Sequence, residues 1–145
     1  MNLQLDGEVA LVTGASRGIG AAIAEQLGRS GATVIGTATR DIGAERISAH
    51  LESLGLSGRG ITLDVRDREG ITACVADIAA REGTPGILVN NAGITRDNLA
   101  MRMSDEDWDS VIETNLNAVF RVSRAVLRGM MKARRGRIIN IGSVV

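Results

Sequence analysis

The 145-residue sequence contains no tyrosine and only one residue each of cysteine, proline, tryptophan and phenylalanine. The single cysteine, Cys74, excludes a disulfide within the chain and suits a reducing compartment, so we expect a cytoplasmic protein. Cys74 lies in a helical pattern, where a buried position is expected. No cysteine and histidine residues have the spacing of metal ligands, and we therefore predict no metal site.

Excess charge of either sign is also missing, because 17 lysine and arginine residues balance 17 aspartate and glutamate residues. A neutral chain has no field that gathers a polyanion over its whole surface, so a nucleic-acid partner is not expected. No apolar run approaches the ~18 residues that cross a bilayer, and the first residues do not form a signal peptide, so no membrane partner is expected. With 44% apolar residues, the chain predicts one domain over residues 1–145.

Glycine is abundant, with 18 residues against one proline, which is typical of a fold with many tight turns and uninterrupted helices. Short, nearly continuous apolar runs alternate with longer helical patterns. Such runs are typical of parallel strands covered on both faces, so we predict a Rossmann-type doubly wound α/β sheet with strand order 3-2-1-4-5. The predicted strands are residues 8–14, 31–37, 60–65, 86–91 and 136–142.

Three of the intervening segments have helical signals. Two carry an apolar stripe, formed by Ile47, Leu51 and Leu54 in one and by Ile71, Val75 and Ile78 in the other. We expect Gly55 to end the helix that contains Ile47 and Asp67 to cap the start of the helix that contains Ile71. The third, from Ser104 to about residue 133, opens with Ser104 as its predicted N-cap, followed by acids, and closes with cations, as the helix dipole favours. It would be a rod of roughly 45 Å.

A glycine-rich turn, "TGASRGIG", joins the first predicted strand to the first helix, with glycines at 14, 18 and 20. Glycines at this point permit a sharp turn and let a pyrophosphate approach the amides of the helix N-terminus. A purely structural turn is the alternative. The position within a strand–helix–strand unit favours a dinucleotide site.

The end of the second strand, "VIGTATR", lacks the carboxylate that would bind the ribose 2′-hydroxyl of NAD. Arg17 in the turn supplies a cation, and Thr37, Thr39 and Arg40 supply further donors, which would match a phosphate on that ribose. We therefore predict NADP(H) as the cofactor. In the alternative interpretation, Arg17 is an exposed loop arginine.

The motifs "TGASRGIG", "LDVRD", "NNAG", "ETNL" and "IINIGS", in this order, resemble the short-chain dehydrogenase/reductase family over the whole chain. The stretch beginning "NNAGITRDNLAMRM" is more narrowly similar to the 3-oxoacyl-(acyl-carrier-protein) reductases of bacterial fatty acid synthesis. The resemblance implies NADPH-dependent reduction of a 3-oxoacyl thioester to the 3-hydroxyacyl thioester. An acetoacetyl-CoA reductase, or a non-catalytic NADP-binding fragment, are the alternatives.

The resemblance also implies which residues bind the cofactor. The pyrophosphate and 2′-phosphate would lie against Gly14, Ala15, Ser16, Arg17, Gly18, Ile19, Gly20 and Thr39. Asp64 and Val65 would flank the adenine. Asn91, Ala92 and Gly93 would line a ribose, and Asn90 belongs to the motif that steadies the central sheet.

For catalysis, the resemblance implies that Ser143 positions the substrate carbonyl oxygen and that Asn115 holds a water of the proton relay. The family also uses a tyrosine and a lysine on a following helix. Here the chain has no tyrosine, and its only lysine, Lys132, precedes the fifth strand. We therefore expect this sequence to lack the catalytic helix and the C-terminal strands, and to be inactive as given.

Two partner predictions concern the long helix. Its basic end complements the helix dipole; the resemblance implies that Arg134 also meets the acyl carrier protein bearing the substrate. The helix carries more apolar residues than one stripe requires, and the resemblance implies that it packs against another subunit in a homotetramer.

Overall fold

The computed structural model describes residues 4–92 and 103–142 of the chain. Within these residues, strands and helices alternate along the sequence, as predicted. The elements in chain order are β1 (Val9–Val12), α1 (Gly18–Arg29), β2 (Thr33–Ala38), α2 (Asp41–Ser53), β3 (Gly58–Thr62), α3 (Arg68–Arg81), β4 (Ile87–Asn90), α4 (Asp105–Ala133) and β5 (Arg137–Asn140).

The five strands form one parallel sheet in the order β3-β2-β1-β4-β5, which confirms the predicted fold class. Leu11 in the central strand pairs with Ile35 on one side and with Leu88 on the other. Every residue of β1 and β4 is buried, because helices cover both faces of the sheet. Because the strands are parallel, their carboxyl ends all lie at one edge of the sheet, where open α/β sheets bind ligands.

Strand β3 begins and ends earlier than its predicted range of residues 60–65. Pairing with β2 starts at Gly58, which has φ of +143° and lies against the Val34 carbonyl oxygen, too close for any side chain. Leu63 and Val65 follow the strand and are buried in the core. The apolar residues at this edge of the sheet thus mark core contact after the strand, and not the hydrogen-bonded ladder itself.

The predicted helix ends are confirmed. The Asp67 carboxylate accepts a hydrogen bond from the Gly70 N–H at 3.1 Å at the start of α3, and the Ser104 hydroxyl accepts one from the Asp107 N–H at 3.0 Å at the start of α4. Gly55 follows the last residues of α2 with φ of +68°, the left-handed conformation of a helix-ending glycine.

Two apolar cores lie on opposite faces of the sheet. Alternate residues of β1 point to different faces, so Leu11 packs with α3 and α4, whereas Ala10 and Val12 pack with α1 and α2. Cys74 is buried in the first core, 6% exposed, as predicted. In the described part of the chain, no helix combines the length and apolar character that a membrane span requires.

Helix α4 exposes a row of large apolar side chains on the side away from the sheet. This row comprises Trp108, Ile112, Leu116, Phe120, Leu127 and Met131. The sheet-facing side of the same helix is formed by residues four apart, Ala118, Val122, Val126 and Met130. Helix α4 therefore presents apolar surface on two sides, which agrees with the excess noted in its sequence.

Candidate functional site

The glycine turn lies at the carboxyl end of β1, at the edge of the sheet where a ligand is expected. Gly14 and Gly18 have φ of +64° and +61°, a conformation that side chains other than glycine rarely adopt. A Cβ on Gly14 would also lie 3.0 Å from the Ala92 Cα atom. Backbone conformation therefore favours glycine at both positions, and Gly14 is also needed for the close approach of the turn to the end of β4.

Gly20 brings helix α1 against the turn and against the residues after β4. A Cβ at this position would overlap the Gly14 carbonyl oxygen and lie 2.6 Å from the Asn91 side-chain nitrogen. That nitrogen donates a hydrogen bond to the Gly14 carbonyl oxygen at 3.0 Å. The predicted residues Gly14, Gly20 and Asn91 are thus brought together in one contact.

Thr13 joins the same two segments and was missed by the sequence reasoning. Its hydroxyl oxygen accepts hydrogen bonds from the N–H groups of Asn91 at 3.0 Å and Ala92 at 2.9 Å. The residue is 2% exposed. A threonine between a buried strand and a glycine turn is the only signal in the sequence, and by itself it does not identify the partners.

The N-terminus of α1 opens onto the turn without a capping side chain. Arg17 occupies the N-cap position with an extended backbone, its side chain does not cap the helix, and the first turn has no acidic residue. The first amides of a helix lack partners within the helix and carry partial positive charge. This arrangement can accommodate the negative charge of a phosphate group.

A cavity of about 440 Å³ lies beside the turn, between the ends of β2 and α2. It brings together Ser16, Arg17 and Thr39, as predicted, and Arg40. Arg46, from the second turn of α2, is an additional cation that the sequence analysis did not name. The lining residues are Ser16, Arg17, Ala38, Thr39, Arg40, Ile42, Gly43 and Arg46.

Thr37, also expected as a donor here, does not line this cavity. It is 1% exposed, and its hydroxyl oxygen accepts a hydrogen bond from the Gly14 N–H at 3.3 Å. Thr37 lies within β2, where the glycine turn covers it, whereas Thr39 comes after Ala38, the last residue of the strand. Thr37 therefore stabilises the turn through its contact with Gly14, and the prediction of a direct phosphate donor at this position was wrong.

The three guanidinium groups of this cavity have no acidic partner in the described part of the chain, residues 4–92 and 103–142. The nearby acids of α2, Asp41 and Glu45, line a different cavity together with Gly60 and Thr62. Asp41 there accepts a hydrogen bond from the Thr62 hydroxyl at 2.6 Å. Cations thus gather on one side of α2 and acids on the other, which gives a site suited to a dianion.

Asp64 and Val65, the predicted adenine neighbours, follow β3 at the same edge of the sheet. The Arg66 guanidinium binds the Asp64 carboxylate at 2.8 Å, and this contact holds the pKa of that carboxyl below its usual range. Val65 is buried in the core beside α3. The Asp64 carboxylate is therefore ionised at neutral pH and can accept further hydrogen bonds.

Asn90 links β4, β5 and α4. Its side-chain nitrogen donates to the Asn140 side-chain oxygen at 2.9 Å and to the Ser123 hydroxyl at 3.2 Å. Asn90 and Asn140 are paired neighbours in the sheet. Ser123 and Asn140 were not identified from the sequence, because each becomes informative only through its position beside Asn90.

Asn115 is half-buried and lies near the sheet-facing side of α4, three residues before the buried Ala118. Since Ser123 contacts the carboxyl end of β4, Asn115, eight residues earlier, lies about 12 Å farther along the helix axis, beyond that edge. Gly93 and Ser143, predicted for the ribose and for catalysis, lie outside the described residues, as does most of the "ITRDNLAMRM" stretch.

Arg134 lies at the opposite edge of the sheet from the glycine turn. It is the residue that ends α4, in the left-handed conformation with φ of +57°. The next residue, Arg135, forms an ion pair at 3.1 Å with Glu8, which precedes β1. Arg134 is therefore separated from the carboxyl edge of its own sheet by the length of the strands.

The chain belongs to the short chain dehydrogenase family, which it matches over residues 8–145. It is 60% identical over 143 residues to the 3-oxoacyl-[acyl-carrier-protein] reductase FabG of Pseudomonas aeruginosa and to that of Vibrio harveyi, and 59% identical to that of Escherichia coli K12. Each match covers 99% of this chain but only 57–58% of the relative. The chain thus spans under two thirds of the length of these curated relatives.

Proposed function

We propose that this chain forms the NADP(H)-binding part of a 3-oxoacyl-(acyl-carrier-protein) reductase of fatty acid biosynthesis, acting in the cytoplasm. The observation that carries the proposal is the cavity beside the glycine turn, where Arg17, Arg40 and Arg46 converge without an acidic partner among the described residues. The names of the relatives, at about 60% identity, support the choice of substrate.

The cofactor residues would divide the dinucleotide among three segments. The turn from Gly14 to Gly20 would bind the pyrophosphate through backbone amides, with Ala15, Ser16, Gly18 and Ile19 in the turn and at the start of α1. Thr39 and the three arginines would bind the ribose 2′-phosphate. Asp64 and Val65 would flank the adenine, and Asn91, Ala92 and Gly93 would line the second ribose. NADPH would supply the hydride for the reaction.

For substrate chemistry, Ser143 would hold the carbonyl oxygen, and Asn115 would hold a water that passes protons. The proton donor of this family would be a tyrosine, which the 145 residues do not contain. An amine beside that tyrosine would lower its pKa from near 10, so that it donates and accepts protons at neutral pH. Such a donor must come from outside these residues.

The isolated 145-residue chain should therefore bind NADPH without reducing an acetoacetyl thioester. Turnover above about one per minute, followed by NADPH absorbance, would contradict the role given to the missing tyrosine. The same assay on a longer protein that supplies the following helix separates a reductase from a non-catalytic NADP-binding protein. Relative rates with the carrier-protein thioester and the coenzyme A thioester then separate the two reductases.

The cofactor prediction is tested by substitutions at Arg17 and Arg46. Loss of one charge-assisted phosphate contact, worth about 1.5–3 kcal/mol, should weaken NADPH binding by roughly tenfold or more. NADH binding should change by less than about threefold, because it lacks the phosphate. We would measure both affinities by calorimetry for Arg17→Ala, Arg46→Gln and the control Arg81→Gln, whose side chain lies on α3 and is exposed. Equal losses for both cofactors would show that these arginines do not read the phosphate.

The assembly that we propose is a homotetramer in which the exposed apolar row of α4 packs against the same row of another copy. In an antiparallel, two-fold pairing, the acidic first turns of one helix would face the basic last turns of the other. Arg134 would then lie near the carboxyl edge of the partner's sheet, where an acyl carrier protein could meet it. Sedimentation of Leu116→Glu tests this pairing, because Leu116 is 64% exposed and a charge there should dissociate the assembly.

A further inference from the structure

A second group of arginines lines a groove between α3 and α4. The groove has a volume of about 320 Å³ and is lined by Arg68 from α3 and by Arg121, Arg124 and Arg128 from α4. Ile71 and Ala125 form its apolar part. Helices α3 and α4 cover the opposite face of the sheet from α1 and α2, so this groove is separate from the cavity beside the glycine turn.

None of these four guanidinium groups forms an ion pair with a carboxylate in residues 4–92 or 103–142. Other arginines of the chain do have such partners: Arg59, for example, binds Glu82 at 2.6 Å and Asp77 at 2.8 Å. Arg124 instead lies over the Phe120 ring, at 4.9 Å from its centre. The groove therefore concentrates positive charge that this part of the chain does not neutralise.

The helix dipole does not explain this arrangement. Its field acts within the last turn, and Arg121 lies three turns before the end of α4 at Ala133. Arg121, Arg124 and Arg128 are three and four residues apart, so like charges are neighbours on one side of the helix, which is destabilising. Arg68 is the first residue of α3, where the dipole disfavours a cation. A bound anion would relieve all of these repulsions at once.

We propose that the groove binds a small anion that carries two or more phosphate groups. Arginine forks bind phosphate oxygens in pairs, and four of them on two facing helices match more than one phosphate. The volume lies within the usual range for small-molecule sites. A nucleic acid fits less well, since it would need basic surface extending beyond the groove, and the chain as a whole is neutral.

Inorganic triphosphate is a suitable probe, with binding measured by calorimetry. Because the glycine turn also attracts phosphate, the measurement uses the Arg17→Gln/Arg46→Gln protein as its background. On that background, adding Arg68→Gln or Arg124→Gln should each weaken triphosphate binding by about tenfold or more, the loss of one charged contact. Arg68→Gln removes a cation from a helix N-terminus and so should not impair folding. Arg81→Gln, on the same helix outside the groove, is the matched control and should change nothing.

The outcomes separate the groove from the dinucleotide site. The proposal predicts that Arg68→Gln and Arg124→Gln, in the otherwise unsubstituted protein, bind NADPH with unchanged affinity. Equal triphosphate affinity in all variants, or binding that disappears already with Arg17→Gln/Arg46→Gln, would overturn it. Binding of duplex DNA without binding of triphosphate would also overturn it, in favour of an extended polyanion.

Discussion

Replacing Thr13 by valine tests the contact that joins the glycine turn to the end of β4. Valine has nearly the same shape, so the substitution removes the hydroxyl and little else. The hydroxyl oxygen accepts two hydrogen bonds, from the N–H groups of Asn91 and Ala92 at 3.0 and 2.9 Å. Both amides would lose their acceptor in a place where Thr13 itself is 2% exposed.

The expected destabilisation follows from these two amides. An amide left without a partner costs about 1–3 kcal/mol, and here the lower half of that range applies, because Asn91 and Ala92 are only half-buried. The valine methyl group that replaces the hydroxyl adds buried apolar surface, which stabilises the fold by about 0.8 kcal/mol. The free energy of unfolding should therefore fall by about 2 kcal/mol, which lowers the melting temperature by roughly 4–8 °C in a chain of this size.

Thr37→Val is the matched control, because Thr37 is also buried but accepts only one hydrogen bond, from the Gly14 N–H at 3.3 Å. Its cost should be below about 1 kcal/mol. Urea unfolding followed by circular dichroism measures both variants, and NADPH affinity should fall more for Thr13→Val, since Asn91 and Ala92 would line the ribose. An equal loss of stability in the two variants, or a larger one for Thr37→Val, would refute the reasoning.

Two further predictions concern the glycine turn and the buried thiol. Gly20→Ala should lower the free energy of unfolding by about 2 kcal/mol through overpacking against the Gly14 carbonyl oxygen, and should weaken NADPH binding. In Gly18→Ala the new Cβ meets no atom within 4 Å, so the loss should be about 1–2 kcal/mol, caused by the positive φ alone. Crystal structures of the two variants would show a shifted Asn91 side chain only in Gly20→Ala. Burial raises the pKa of the Cys74 thiol from 9.0 to about 11. The contribution of the neutral Cys74 thiol to the free energy of unfolding is therefore complete below pH 9 and is lost between about pH 9 and 11, because the thiol ionises first in the unfolded chain. The free energies of unfolding measured in urea at about pH 8 and about pH 10 should differ by about 1 kcal/mol, and Cys74→Ala should abolish that difference.

The elements that could be predicted are those whose pattern repeats within one element. The stripes of α2 and α3, the caps at Asp67 and Ser104, and the buried runs of β1 and β4 all follow from local rules. Strand β3 begins two residues and ends three residues before its predicted bounds, because it lies at the edge of the sheet. Apolar residues there report core contact, whereas pairing with β2 is set by the backbone at Gly58.

The candidate site was predicted where a motif occupies consecutive residues and missed where packing assembles it. The stripe of α2 already implies that Arg46, next to the buried Ile47, lies on one flank of the helix. It does not tell which flank faces the glycine turn. That depends on how α2 crosses β2, and the crossing brings Gly43 so near to Ala38 that a Cβ would lie 2.7 Å from the Ala38 Cβ.

Although the net charge is zero, charge is distributed unevenly over the surface. Opposite charges balance over the whole chain, yet arginines without acidic partners among the described residues collect in two cavities, on opposite faces of one sheet. Repulsion within each group lowers stability, whereas an anion bound at either one removes that cost. Because the sheet separates the groups, each can bind its anion independently, and substitutions in one should leave the affinity of the other unchanged.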